Sequence, residues 1–124
     1  LNILVQKYKG LELKDKIQAF KLLNVAAEQR YLTGLKFIGI IYRDWATNKN
    51  NTDSPKDKEK MMTKAMTYLT YAADQNDMDC MFEMAYRYCN HQDVDQDFFQ
   101  AFKFLKNIEK WVEKKLETQY QINP

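Results

Sequence analysis

Residues 71–97, YAADQNDMDCMFEMAYRYCNHQDVDQD, hold both cysteines of the chain, its only histidine and six aspartates. Thiols, imidazoles and carboxylates bind metals and do nucleophilic or acid–base work. Spacing decides whether they act together. Cys80 and Cys89 are nine residues apart, about 900° on one helix, which points the thiols to opposite sides. Helical zinc pairs use three- or four-residue steps and loop sites use Cys-x-x-Cys. Neither pattern is present, and the same geometry opposes a disulfide. Asp93, Asp95 and Asp97 have the opening spacing of a calcium loop, but glycine and glutamate are needed at its sixth and twelfth positions. Phe98 and Phe104 stand there. Asp97 reads instead as the N-cap of the next helix, with the other acids favoured near its positive end. His91 has no serine, cysteine or second histidine at a suggestive spacing and reads as a surface loop residue. Three scattered glycines cannot form a phosphate-binding loop. The expectation is no enzyme, with no catalytic, cofactor or metal site, and Cys80 in the core.

The elements that carry these residues are helical. The chain has 124 residues, 45% of them hydrophobic, enough for a core, and three glycines and two prolines give little turn punctuation for a β fold. No run approaches a membrane span, LNILV is too short for a signal-peptide core, and a start at Leu1 suits a fragment or processed product. The net charge of +2 does not by itself make a nucleic-acid binder. Charge is unevenly spread: residues 1–64 carry 13 Lys/Arg and 7 Asp/Glu (net +6), residues 65–124 carry 6 and 10 (net −4). Two interaction faces or an ordinary solvated surface both fit that polarity. Eight tyrosines and seven phenylalanines fall mostly at core-type positions, which favours packing over base stacking. Two cysteines not expected to form a disulfide with each other point to the cytoplasm or another reducing compartment.

An internal repeat organises the chain. AFKLLNVAAEQ from Ala19, AMTYLTYAADQ from Ala65 and AFKFLKNIEKW from Ala101 align, at offsets of 46 and then 36 residues. The extra length falls in polar TNKNNTDSPKDK, residues 47–58, read as a loop insertion. A second motif follows at constant spacing: Gly34, Ile38, Gly39 and Tyr42 pair with Cys80, Met84, Ala85 and Tyr88, and Leu4, Val5 and Tyr8 form a partial third copy. Ala19, Leu22, Leu23, Ala26 and Ala27 predict one apolar helix face, and Leu35, Ile38, Tyr42 and Trp45 another. Small residues at Ala27 or Ala73, and at Gly39 or Ala85, permit close helix approach. The predicted order is a half unit (1–9), a hairpin (14–46), a second hairpin (58–90) and a long helix (97–119). In that last helix Ile108, Trp111, Val112 and Leu116 are expected to cap the open end. Leu1, Ile3, Leu4 and Val5 are expected to pack on upstream repeats or another protein.

These spacings resemble the Sel-one-like repeat family, a branch of the tetratricopeptide-like helical solenoids. Val94, Asp97 and Ala101 fit the start of a unit, Ala26-Ala27 and Ala72-Ala73 its middle, and Ile38-Gly39-Tyr42 and Met84-Ala85-Tyr88 its end. The match covers about Leu4 to Lys110, outside the insertion. Arg30 and Asn76 replace the family's glycine between the two helices. The resemblance implies an all-α fold: a right-handed superhelical α-solenoid of stacked antiparallel hairpins. Some secreted members staple each hairpin with a cysteine pair; beside Cys80 stand Ala72 and Ala73, so that staple is missing.

The resemblance also implies a concave surface lined by the first helix of each hairpin. Its non-core positions are Lys21, Thr67 and Lys103, then Asn24, Thr70 and Lys106, then Glu28, Asp74 and Lys110. A peptide or protein groove and a plain solvated face share this composition. The expected function is a non-catalytic scaffold or adaptor for other proteins or peptides, without nucleic acid and without membrane insertion. The family adds complex assembly at membranes, protein quality control, or bacterial effectors that engage host proteins; a bacterial effector or an organelle-matrix protein is the alternative localisation. One alternative is a structural subunit of a large assembly. Another, from the family, is cell-wall or peptidoglycan-related binding or hydrolysis, against which the missing nucleophile constellation counts.

Overall fold

The computed structural model describes residues 2–90 and 97–122. It is all-α, with six helices in chain order: α1 (Asn2–Lys9), α2 (Leu13–Glu28), α3 (Leu32–Thr47), α4 (Pro55–Asp74), α5 (Met78–Cys89) and α6 (Phe98–Ile122). Helices adjacent in sequence pack on one another, most broadly at α3–α4 and α5–α6 and least at α1–α2. One continuous apolar core runs from Val5 through Phe37, Leu69 and Met84 to Ile108.

Local chemistry sets the helix ends. The Ser54 hydroxyl accepts the Asp57 amide at 3.2 Å, and Pro55 takes the first helical position. So α4 starts earlier than expected, and the last part of segment 47–58 is helix. Asp77 caps α5 by accepting the Cys80 amide at 3.0 Å, and Asp97 caps α6 by accepting the Gln100 amide at 3.1 Å. His91, Asp93, Val94 and Asp95 lie outside the described residues.

The turns after α2 and α4 are the same device. Arg30 and Asn76, matched by the 46-residue offset, both have positive φ, 61° and 65°. In the first turn the amides of Arg30 and Tyr31 donate to the carbonyls of Ala27 and Ala26; in the second, those of Asn76 and Asp77 donate to Ala73 and Ala72. This paired bonding is the Schellman helix ending, for which a left-handed residue is required. Gln75 reaches from the second turn to the first, its side-chain amide donating to the Arg30 carbonyl at 2.9 Å.

Within the first hairpin α3 lies almost on the α2 backbone. A Cβ on Gly34 would come within 2.8 Å of the Ala27 nitrogen, and one on Gly39 within 2.8 Å of the Leu69 side chain on α4. Aromatic pairs tie successive layers. Tyr42 stacks on Tyr68 with ring centroids 6.2 Å apart, and Tyr88 on Phe104 at the same separation. Charged pairs link helices two apart: Lys9 with Asp44 at 3.1 Å, Lys36 with Asp77 at 3.0 Å, and Arg43 with Glu83 at 2.7 Å.

Three expectations are corrected. Leu22 is 67% exposed, and α2 turns Leu23 and Ala27 inward instead. Trp45 is 54% exposed, because α3 buries Phe37 and Ile41 along with Leu35 and Ile38. In α6 only Ile108 of the capping stripe is buried; Trp111 is half-buried, and Val112 and Leu116 are exposed. The second half of α6 therefore does not seal an open end. In α1, Val5 is buried while Ile3 and Leu4 are exposed.

Candidate interaction surface

Of the chemically capable residues of the opening stretch, Asp77 and Asp97 cap helices and Cys80 is buried in the apolar core. Burial, then the neighbouring Asp77 carboxylate, push its thiol far above its ordinary value, so it stays protonated and is a poor nucleophile. Asp77 is also partly buried, which opposes its ionisation. Bonds from Cys80 and Lys36 outweigh that and hold its carboxyl below the usual range. Lys36 shows the converse: burial opposes its charge, and Asp77 more than restores it. Arg43 is likewise kept charged, against burial, by Glu83 and Asp44. Burial raises the hydroxyls of Tyr8, Tyr42 and Tyr68. Among the described residues no group of three or more His, Cys, Asp or Glu could hold a metal ion, and no helix is long and apolar enough to cross a membrane.

The nine expected surface positions fall into different settings. Lys21, Glu28, Thr67, Asp74, Lys103, Lys106 and Lys110 are exposed, while Asn24 and Thr70 are half-buried. The Asn24 side chain donates to Glu28 at 3.3 Å and accepts from the Tyr68 hydroxyl at 3.5 Å, joining α2 to α4. The Thr67 hydroxyl turns back to the Thr63 carbonyl at 2.9 Å, and that of Thr70 faces the Met84 sulfur on α5. Lys106 pairs with Glu109 at 3.3 Å and lies 5.5 Å from the Phe102 ring centroid. Much of the polarity of these positions is thus spent within or between the helices.

Asp74 and Lys110 do come together. They line a groove of about 920 Å³ between the C-terminal end of α4 and the second half of α6. Ala73 and, in the turn after α4, Asn76 complete that wall, and Asn107, Trp111, Lys114, Lys115, Thr118 and Gln119 form the α6 wall. The other seven expected positions are not part of it. Lys115 holds its ammonium 5.0 Å from the Trp111 ring centroid, a cation–π contact. Three lysines face one carboxylate here, so the groove is basic although the chain is nearly neutral. Sequence reading missed these α6 residues by assigning Trp111 to a capping stripe. Asn107, Trp111, Lys114 and Thr118 recur at four- and three-residue steps, and that was the available signal. No model of a known protein family, no characterised protein and no solved structure matches this chain.

Proposed function

We propose that the chain is a non-catalytic interaction module, a stack of helical hairpins of the Sel-one-like type that presents its surface to other proteins. The observation that supports it best is the groove between α4 and α6. Helices one repeat apart jointly wall a peptide-sized concavity, and two register-matched surface residues, Asp74 and Lys110, line it. Recurrence supports the stacked reading: one turn occurs twice and one aromatic pair occurs twice, at the register of the repeat. Solenoids bury their core through such nearest-neighbour contacts.

The test is site-specific photo-crosslinking in cells, with a photoreactive side chain at Asn107 in the groove and, in a second variant, at Lys49 in the exposed loop after α3. A discrete protein adduct from Asn107 that Lys49 does not give supports the module. Identical adduct patterns from both sites, or none from Asn107, overturn it. A structural subunit of a larger assembly is the second reading, and exposed apolar side chains on α1, α2 and α6 favour it: Ile3, Leu13, Leu22 and Phe99. It predicts that the chain is degraded when its assembly is depleted, which a free adaptor would survive.

A further inference from the structure

Three lysines and a tryptophan along one groove select a ligand by charge and shape. Asp74 is the only acid among the lining residues, and Lys110 and Lys114 make no ion pair with any described residue. Their ammonium groups remain available to an incoming anion. Trp111 offers a half-buried apolar surface beside Ala73. Asn76, Asn107 and Gln119 offer amides, each of which can donate to a carbonyl and accept from an N–H, as a peptide backbone requires. The α6 wall runs from residue 107 to residue 119, about 18 Å at 1.5 Å per residue. An extended peptide of about five or six residues has that length.

We propose that the groove binds an extended acidic segment of a partner protein, with carboxylates on Lys110 and Lys114 and an apolar side chain against Trp111 and Ala73. This rests on the interaction-module reading and names its ligand. A nucleic acid would also use lysine and tryptophan. The groove suits it less, because Asp74 would face its phosphates and the positive patch is small for a polyanion.

Trp111 and Trp45 are the two tryptophans of this sequence, so Trp45→Phe with red-edge excitation, which tyrosine does not absorb, makes Trp111 the only tryptophan observed. In that background the emission is followed while three probes are added: a ten-residue peptide of glutamates with one central leucine, the same peptide with lysines for glutamates, and a uridine oligonucleotide of equal length. The expected result is a saturable change with the acidic peptide alone, weakening as salt rises. Lys110→Glu with Lys114→Glu should weaken it by about tenfold or more, and Lys49→Glu by less than about twofold. Circular dichroism checks that each variant stays helical. Stronger binding of the oligonucleotide, an equal response to the lysine peptide, indifference to the double reversal, or no response to any probe would overturn the acidic-peptide assignment. The crosslinking from Asn107 is read separately: a protein adduct there with a silent acidic probe leaves the module standing and removes only its proposed ligand.

Discussion

The junctions between α3 and α4 and between α5 and α6 each carry a stacked ring pair at matching positions, Tyr42 on Tyr68 and Tyr88 on Phe104. The register twins at the α1–α2 junction are Tyr8 and Leu22. There Tyr8 sits edge-on to Phe37 with centroids 5.2 Å apart, and Leu22 is left in solvent. What differs is the second neighbour: α4 packs on the full-length helices α3 and α5, whereas α2 packs on α3 but only slightly on the eight-residue α1. Burial here belongs to the contact between layers rather than to the single amphipathic helix.

The largest test of that contrast uses twin leucines. Leu69 is 2% exposed against Gly39, while its twin Leu23 on α2 is half-buried. Leu69→Ala should cost about 3 kcal/mol, as for a fully packed leucine, and Leu23→Ala about half of that. Urea unfolding followed by circular dichroism gives both values. Equal losses would break the comparison.

Next comes the seat of the second helix. Gly34 would drive a Cβ into the α2 backbone, and backbone cannot step aside as a side chain can. Gly34→Ala should therefore cost about 1–3 kcal/mol by overpacking. Its twin Cys80 already carries a side chain, so Cys80→Ala only trims a buried sulfur and should cost about 1 kcal/mol. A neutral Gly34→Ala in the same unfolding assay would show that the first hairpin is no tighter than the second.

The caps differ between the hairpins as well. Asp77 caps α5 and pairs with Lys36, whereas its twin Tyr31 gives α3 no side-chain cap. Asp77→Ala should cost about 1–2 kcal/mol, and Tyr31→Asp should gain up to about 1 kcal/mol by moving the cap to the first hairpin. The pair also sets pH limits. The Asp77 carboxyl is lowered on folding, so its stabilisation is present above the ordinary carboxyl range, near pH 4, and is lost as pH falls through the depressed folded value. Lys36 is raised, so its part is complete below about pH 10 and is lost as pH rises through the raised folded value. Asp77→Asn should flatten both limbs of a stability–pH curve. An unchanged curve would remove this pair from the account.

Helix type, the paired turns at Arg30 and Asn76 and the Asp97 cap were legible in the sequence because each depends on local spacing. The start of α4 was misread as loop: Ser54-Pro55 is a helix-opening pair as well as a loop signal, and in the structure Ser54 caps the helix through the Asp57 amide. Leu22 and Trp45 could not be placed. Periodicity finds a helix face but does not say which neighbour, if any, covers it. The groove was half legible. Asp74 and Lys110 share a register position, but Trp111 lies on both the buried ridge of α6 and its polar side, and only the approach of α4 decides between them.

The smallest effect tests the shared turn itself. Arg30 and Asn76 hold the same left-handed conformation, which glycine adopts freely and asparagine tolerates better than arginine does. On backbone grounds alone, glycine should help more at residue 30 than at residue 76. The Arg30 guanidinium, however, lies 4.0 Å from the Tyr71 ring centroid on α4, a contact worth about 0.5–1 kcal/mol at such a site. That offsets a left-handed penalty of about 1 kcal/mol. Arg30→Gly should therefore come out near zero. Asn76→Gly, with no ring contact to lose, should gain a few tenths of a kcal/mol. Arg30→Gly combined with Tyr71→Leu separates the two contributions. If glycine at residue 30 becomes stabilising once the ring is gone, the first turn is held by a side chain reaching the next hairpin. If it stays neutral, the two turns have the same basis and the ring contact adds nothing.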